Sequence, residues 1–332
     1  MMSLGRNSHN HKGFTYALVV WVLMGSLCGV AADPGREPGP ATVAVVTATG
    51  FLGPDSFLTP QSIYPLGKQD YRTVARMLDR AAMLATSTTR ISDAWASLVS
   101  SSDRVGILID VQQPPVSLTL LDAVLDRVTE AGVRPSNIIV WAEDERSLFS
   151  AGLALCTDTD GVRILGAESE GFRDGLSRIV LNYCDVLINV SRLRPDRRIG
   201  MWGATANQTA CVPQVDRLRL LAKQQELPSA AARPSCRTKF RLHLVDALQP
   251  SYEPGAQKMP PYWNCGTLLA SADCVAVDVT GRQLLEAKRG QVHGVPWPLD
   301  PEPVYLKSAC EGYRLGQWNP QLISTIESSV TN

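Results

Sequence analysis

The chain has 332 residues, and its 32 Lys plus Arg equal its 32 Asp plus Glu, so the formal net charge is zero. That length suits one large domain or two small ones. A balanced charge argues against a nucleic-acid partner, because binding phosphate needs a clustered basic field.

In chain order, the first signal is "FTYALVVWVLMGSLCGVA" (14–31), an uncharged apolar run behind the weakly basic "RNSHNHKG". The pattern predicts a secretory signal peptide over 1–32. Val30 and Ala32 take the small-residue positions, and Asp33 is the first mature residue. The run is also long enough to remain as a membrane anchor if it is not cleaved. In either case the domain is expected outside the cytoplasm, periplasmic or extracellular, with membrane contact only through this segment. Residues 33–41 read as a Pro/Gly linker, and 42–332 as a single domain.

Within that domain, strands are expected at 42–49, 104–111, 137–143, "GVRILGA", 184–191, 240–248 and "TLLAS". Helical spacing of apolar residues marks 70–86, 117–133, 145–155 and 214–227. In 117–133, Ser117 is placed as the cap and Gly132 as the stop. Continuous apolar strands alternating with helices predict an α/β fold with three layers, a mostly parallel sheet flanked by helices. "RLRPDRRIGMWGATANQTACVP" (192–213) reads as a long basic loop, and "PSAAARPS" (228–235) as an exposed connection.

Three stretches carry candidate chemistry. "VTATGFLG" (46–53) has the glycines of a phosphate-binding turn but not the G-x-G-x-x-G spacing, and Pro54 follows at once. A nicotinamide-dependent reductase would rest on this stretch alone. "WAEDERS" puts Glu143, Asp144 and Glu145 at a strand end, where acids favour the first turn of a helix. It is also where parallel sheets bind ligands. "SADCVAVDVTGRQLLEAKRG" starts a helix at the cap Asp273, carries it to Lys288 and Arg289, and stops it at Gly290. Asp278 lies among Val275, Val277 and Val279. A carboxylate there needs either an ion-pair partner, such as Arg282 one turn on, or a cleft.

Loss of the leader removes Cys28 and leaves seven of the eight cysteines, with no C-x-x-C pair. Zinc-finger and iron–sulfur spacings are therefore missing, and no iron–sulfur cluster is expected. Cys156, Cys184 and Cys274 read as buried thiols, whereas Cys211, Cys236 and Cys265 sit in loop-like contexts suited to bridging.

"LLDAVLDRVTEAGVRPSNIIVW", "CDVLINV", "RLHLVDAL", "GTLLASADCVAVDVTGRQLLEAKR" and "YLKSACEGYRLG" together resemble the domain of unknown function 362 family, from about Val105 to the C-terminus. The resemblance implies no settled activity. It does mark polar positions. Asp246, Asp273 and Asp278 match the family pattern. Arg194 and Asp196 stand where relatives tend to have lysine and histidine, Asp110 stands for asparagine, and Ala206-Asn207 for a lysine–asparagine pair. Arginine keeps the charge but cannot act as a base, and aspartate replaces a neutral ligand.

Two functional readings follow. In the first, an exported domain binds a small polar or anionic ligand in a cleft at the strand ends, with family-type catalysis lost or altered. Its residues are Arg194, Asp196, Asn207, Asp246 and Asp278. Arg197 and Arg198 would help Arg194 hold the anion, and the loop of Gly200 and Gly203 would close on it. In the second, an extracytoplasmic enzyme uses a divalent metal on Asp246 and Asp278, with Asp110 as a further ligand, a hard-oxygen set suited to Mg, Ca or Mn.

Overall fold

The structure is a computed structural model and describes residues 37–49, 68–254 and 262–331. The leader expected over 1–32 and the glycine loop from Gly50 onward lie outside the described residues.

The strands are β1 (Ala41–Thr49), β2 (Val105–Ile109), β3 (Ile138–Ala142), β4 (Arg163–Gly166), β5 (Phe172–Arg173), β6 (Leu176–Ser177), β7 (Val186–Arg192), β8 (Arg194–Asp196), β9 (Gly200–Trp202), β10 (Phe240–Ala247), β11 (Thr267–Ser271) and β12 (Ile323–Thr331). The helices are α1 (Lys68–Ala85), α2 (Ile91–Leu98), α3 (Leu118–Glu130), α4 (Glu145–Ser150), α5 (Ala167–Glu170), α6 (Ala204–Asn207), α7 (Gln214–Ala222), α8 (Pro234–Lys239), α9 (Cys274–His293) and α10 (Tyr305–Glu311).

Eight strands form one sheet in the order β12-β1-β11-β10-β7-β2-β3-β4. All neighbours pair in parallel except β11, which runs antiparallel to both β1 and β10. The expected mostly parallel sheet between helical layers is what forms. Alternation along each strand divides the core. Ile107 and Ile109, Val140, Ile188 and Val190 face the layer of α1, α2 and α3. Leu108, Ile139, Trp141 and Leu187 face the other side with Ile179 and Val180. On that side, further along the sheet, Val245 and Leu269 meet Val275 and Val279 of α9 and Tyr305 of α10.

Ser117 caps α3 by accepting from Leu120 N, and Gly132 takes a positive φ of 96° just past its end, both as expected. Four expectations change. The long basic loop 192–213 instead contains the β8–β9 hairpin and α6, elements too short for a periodic pattern. The exposed connection at 228–235 is folded in, with Pro228, Ala230 and Ala231 buried. Helix α9 does not stop at Gly290. It runs to His293, and Gly294, at φ 72°, supplies the left-handed residue that ends it. Cys211 and Cys236 are buried thiols, and Cys265 is unbridged.

Candidate functional site

The chain steps from β2 to β3 to β4 in one direction and then returns to lay β7 on the other side of β2. That reversal makes the gap between β2 and β7 the topological switch point. In open parallel sheets, ligands bind there, outside the carboxyl ends of the strands. Asp110 follows β2, and Arg192 to Arg194 lead out of β7 into the β8–β9 hairpin.

Asp110 is buried and stitches the two strand ends together. Its Oδ1 accepts from Gln112 N at 3.1 Å, and its Oδ2 accepts from Arg192 N at 3.3 Å and pairs with the Arg194 guanidinium. The Arg194 guanidinium also lies 4.9 Å from the centroid of the Trp202 ring, a cation–π contact. Above this pair is a cavity of about 260 Å³, whose walls include Gln112, Gln113, Arg194, Asp196, Arg197 and Arg198. Asp196 holds the hairpin turn: its Oδ1 accepts from Arg198 N at 2.7 Å and Ile199 N at 3.2 Å, and its Oδ2 pairs with Arg198 at 3.3 Å. Gly200, at φ 85°, completes the turn against Pro301 and Pro303, where a Cβ would meet Pro301 O at 2.3 Å.

The charges around this cavity are uneven. Arg194 is matched by Asp110 and Arg198 by Asp196. Arg197 is exposed and has no hydrogen bond or ion pair among the described residues. Among the described residues, one cationic side chain is thus left over at the mouth.

The remaining sequence candidates are placed elsewhere. Asp246 ends β10 beside Arg192, and its carboxylate accepts from Ser117 N at 2.8 Å and Leu248 N at 2.9 Å, so it ties the start of α3 to the sheet. Asn207 donates to Asn189 Oδ1 at 2.8 Å, and Asn189 Nδ2 contacts Ala204 O at 2.8 Å and His243 Nδ1 at 3.2 Å, all buried. Asp278 is fully buried and receives Ala204 N at 2.6 Å and Thr205 N at 2.8 Å, capping α6 from across the fold. The expected pair with Arg282 does not form, because Arg282 turns to Glu286 at 3.0 Å and Glu302 at 3.3 Å. Burial pushes the Asp278 carboxyl up to about 7, although the two amides favour its anion. Asp273 caps α9 through Val275 N and Ala276 N, both at 2.8 Å, and also accepts from Gln317 N at 2.8 Å.

The structure therefore gathers Asp110, Arg194 and Asp196 at one site with Arg197 and Arg198, and sets Asp246, Asn207 and Asp278 apart. Among the described residues, no three His, Cys, Asp or Glu side chains converge as a metal ligand set. In the acidic stretch, Asp144 caps α4 by accepting from Ser147 N at 2.8 Å. Glu143 is buried, which raises its carboxyl, while the nearby Arg217 guanidinium opposes the rise. Gln112 and Gln113 were not singled out in the sequence; their place directly after an apolar strand was the available signal.

These features define a three-layer α/β protein with a basic crevice at its switch point. Residues 162–283 match the family described as Domain of unknown function (DUF362). The segment includes Arg194, Asp196, Asn207, Asp246 and Asp278, whereas Asp110 precedes it. No curated protein matches the chain.

Proposed function

We propose that this protein is an exported binder of a small anion, held at the gap between β2 and β7, with family-type catalysis lost or altered. The observation that carries the reading is the coincidence of the switch point with a cavity of about 260 Å³ at which Arg197 has no counter-charge among the described residues. Arg194, held by Trp202 and Asp110, offers a positioned donor, and Arg197 supplies a charge unpaired among the described residues. The divalent-metal enzyme on Asp246 and Asp278 is the weaker proposal, because each carboxylate already accepts two backbone amides.

Inorganic phosphate titrated into the full chain by calorimetry tests this. Saturable binding is expected, and Arg197→Gln should weaken it about tenfold, the cost of one charge-assisted hydrogen bond. Binding that is insensitive to Arg197 would sink the assignment. Export has its own check. N-terminal sequencing of protein from the expressing cell should begin near Asp33, whereas an intact N-terminus in washed membranes would make 14–31 an anchor.

A further inference from the structure

A second cavity, of about 230 Å³, lies at the opposite end of the sheet, where β10 begins. Its walls come from Ala85 and Thr86 at the end of α1, Ser97 and Leu98 of α2, α8, Phe240 to His243 of β10, and Ala272 and Cys274 at the start of α9. Among the described residues, none around it lines the switch-point crevice.

Besides the hydroxyls of Thr86, Ser97 and Thr238, its polar side chains include donors. Gln208 is only 2 % exposed, and its Nε2 has no hydrogen-bond partner among the described residues. The Cys274 thiol beside it is a weak acceptor. Arg241 makes no hydrogen bond or ion pair among the described residues, and its Nε is buried. His243 contacts Asn189 Nδ2 through Nδ1 at 3.2 Å, which makes Nδ1 the acceptor and places the ring proton on Nε2. Burial holds this ring neutral, with its pKa lowered to about 3. The rest of the surface is largely apolar, with Leu98, Phe240, Leu242 and Leu315.

Buried donors without acceptors are costly, and a cation without a counter-charge in the same space adds to that cost. An occupant that removes both must be an acceptor with a negative charge and a short apolar body. We propose that this cavity is a second ligand site, which takes a small carboxylate with an aliphatic tail. The carboxylate meets Arg241 and the Gln208 amide, and the tail lies against Leu98 and Leu242. The site is independent of the anion crevice, since it shares no residue with it.

The test uses the full chain with hexanoate as the probe and hexan-1-ol, which has the same tail without the charge, as the control. Hexanoate should bind saturably and raise the melting temperature, and hexan-1-ol should bind at least about tenfold more weakly. Arg241→Gln should weaken hexanoate by about the same factor, and Arg197→Gln should leave it unchanged. Ser97→Trp, at the exposed rim, should block entry while keeping every charge, so the proposal stays testable if Arg241→Gln fails to fold. Absence of saturable binding, equal affinity for the alcohol, or an unaffected Ser97→Trp variant would overturn the site. Loss of hexanoate binding with Arg197→Gln alone would overturn it as well, by moving the anion to the switch point.

Discussion

Gly203→Ala is expected to destabilise the protein by about 3 kcal/mol, at the upper end of overpacking costs. A Cβ on Gly203 would sit 2.2 Å from Asp278 Oδ1, and that oxygen has nowhere to go. Asp278 is fully buried and is held by Ala204 N and Thr205 N. The backbone at Gly203 is extended, with φ −162°, so the effect is purely one of contact. Denaturant melts of the wild type, Gly203→Ala, Asp278→Ala and the double variant check it. The double variant should lose clearly less than the sum of the two single losses, because the clash disappears with the carboxylate. Strict additivity would contradict the contact.

The same carboxylate gives the protein a pH dependence whose sign can be worked out. Its pKa is raised from 3.8 to about 7 on folding, so the folded state binds the proton more tightly than the unfolded state. Its contribution is full below about pH 4, declines as the pH rises, and is gone above about pH 7. Asparagine does not titrate. The stability of the wild type relative to Asp278→Asn should therefore fall by about 4 kcal/mol between pH 4 and 7 and stay flat above. A flat difference across that range would show that the two amides hold the anion against burial.

The second large effect is expected at Asp110. Asp110→Asn keeps the shape but leaves the Arg194 guanidinium, whose side chain is 10 % exposed, without its counter-charge. Breaking one partner of such a buried pair costs about 3 kcal/mol or more. Adding Arg194→Gln should return part of that loss, since no charge is then stranded. The variant also bears on the site. With Asp110 neutralised, Arg194 faces the crevice uncompensated, so inorganic phosphate should raise the melting temperature of Asp110→Asn more than that of the wild type. An equal rise in both would separate Arg194 from anion binding.

Local pattern was enough to specify seven strands of the eight-stranded sheet, β1, β2, β3, β4, β7, β10 and β11, because each is a short apolar run bounded by turns, and the helices α1 and α3, because their apolar spacing is regular and α3 carries its own cap and stop. It could not reveal β12. "ISTIESSVT" is mostly exposed, so no face is marked by burial, and only parallel pairing to β1 makes it a strand. The β8–β9 hairpin and α6 span three, three and four residues, below the length at which a period can be read. The candidate residues are visible as polar residues in apolar surroundings, and Arg194, Arg197 and Arg198 lie within five residues of one another. Their partners were not visible. Asp110 and Arg194 are 84 residues apart, and Asp278 reaches α6 over 74. Sequence alone determined that Asp278 needed compensation for its burial, because a carboxylate among valines is costly wherever it folds. Only the tertiary structure decided that the compensation is the open end of another helix rather than Arg282 one turn away, because only packing brings those free amides within reach.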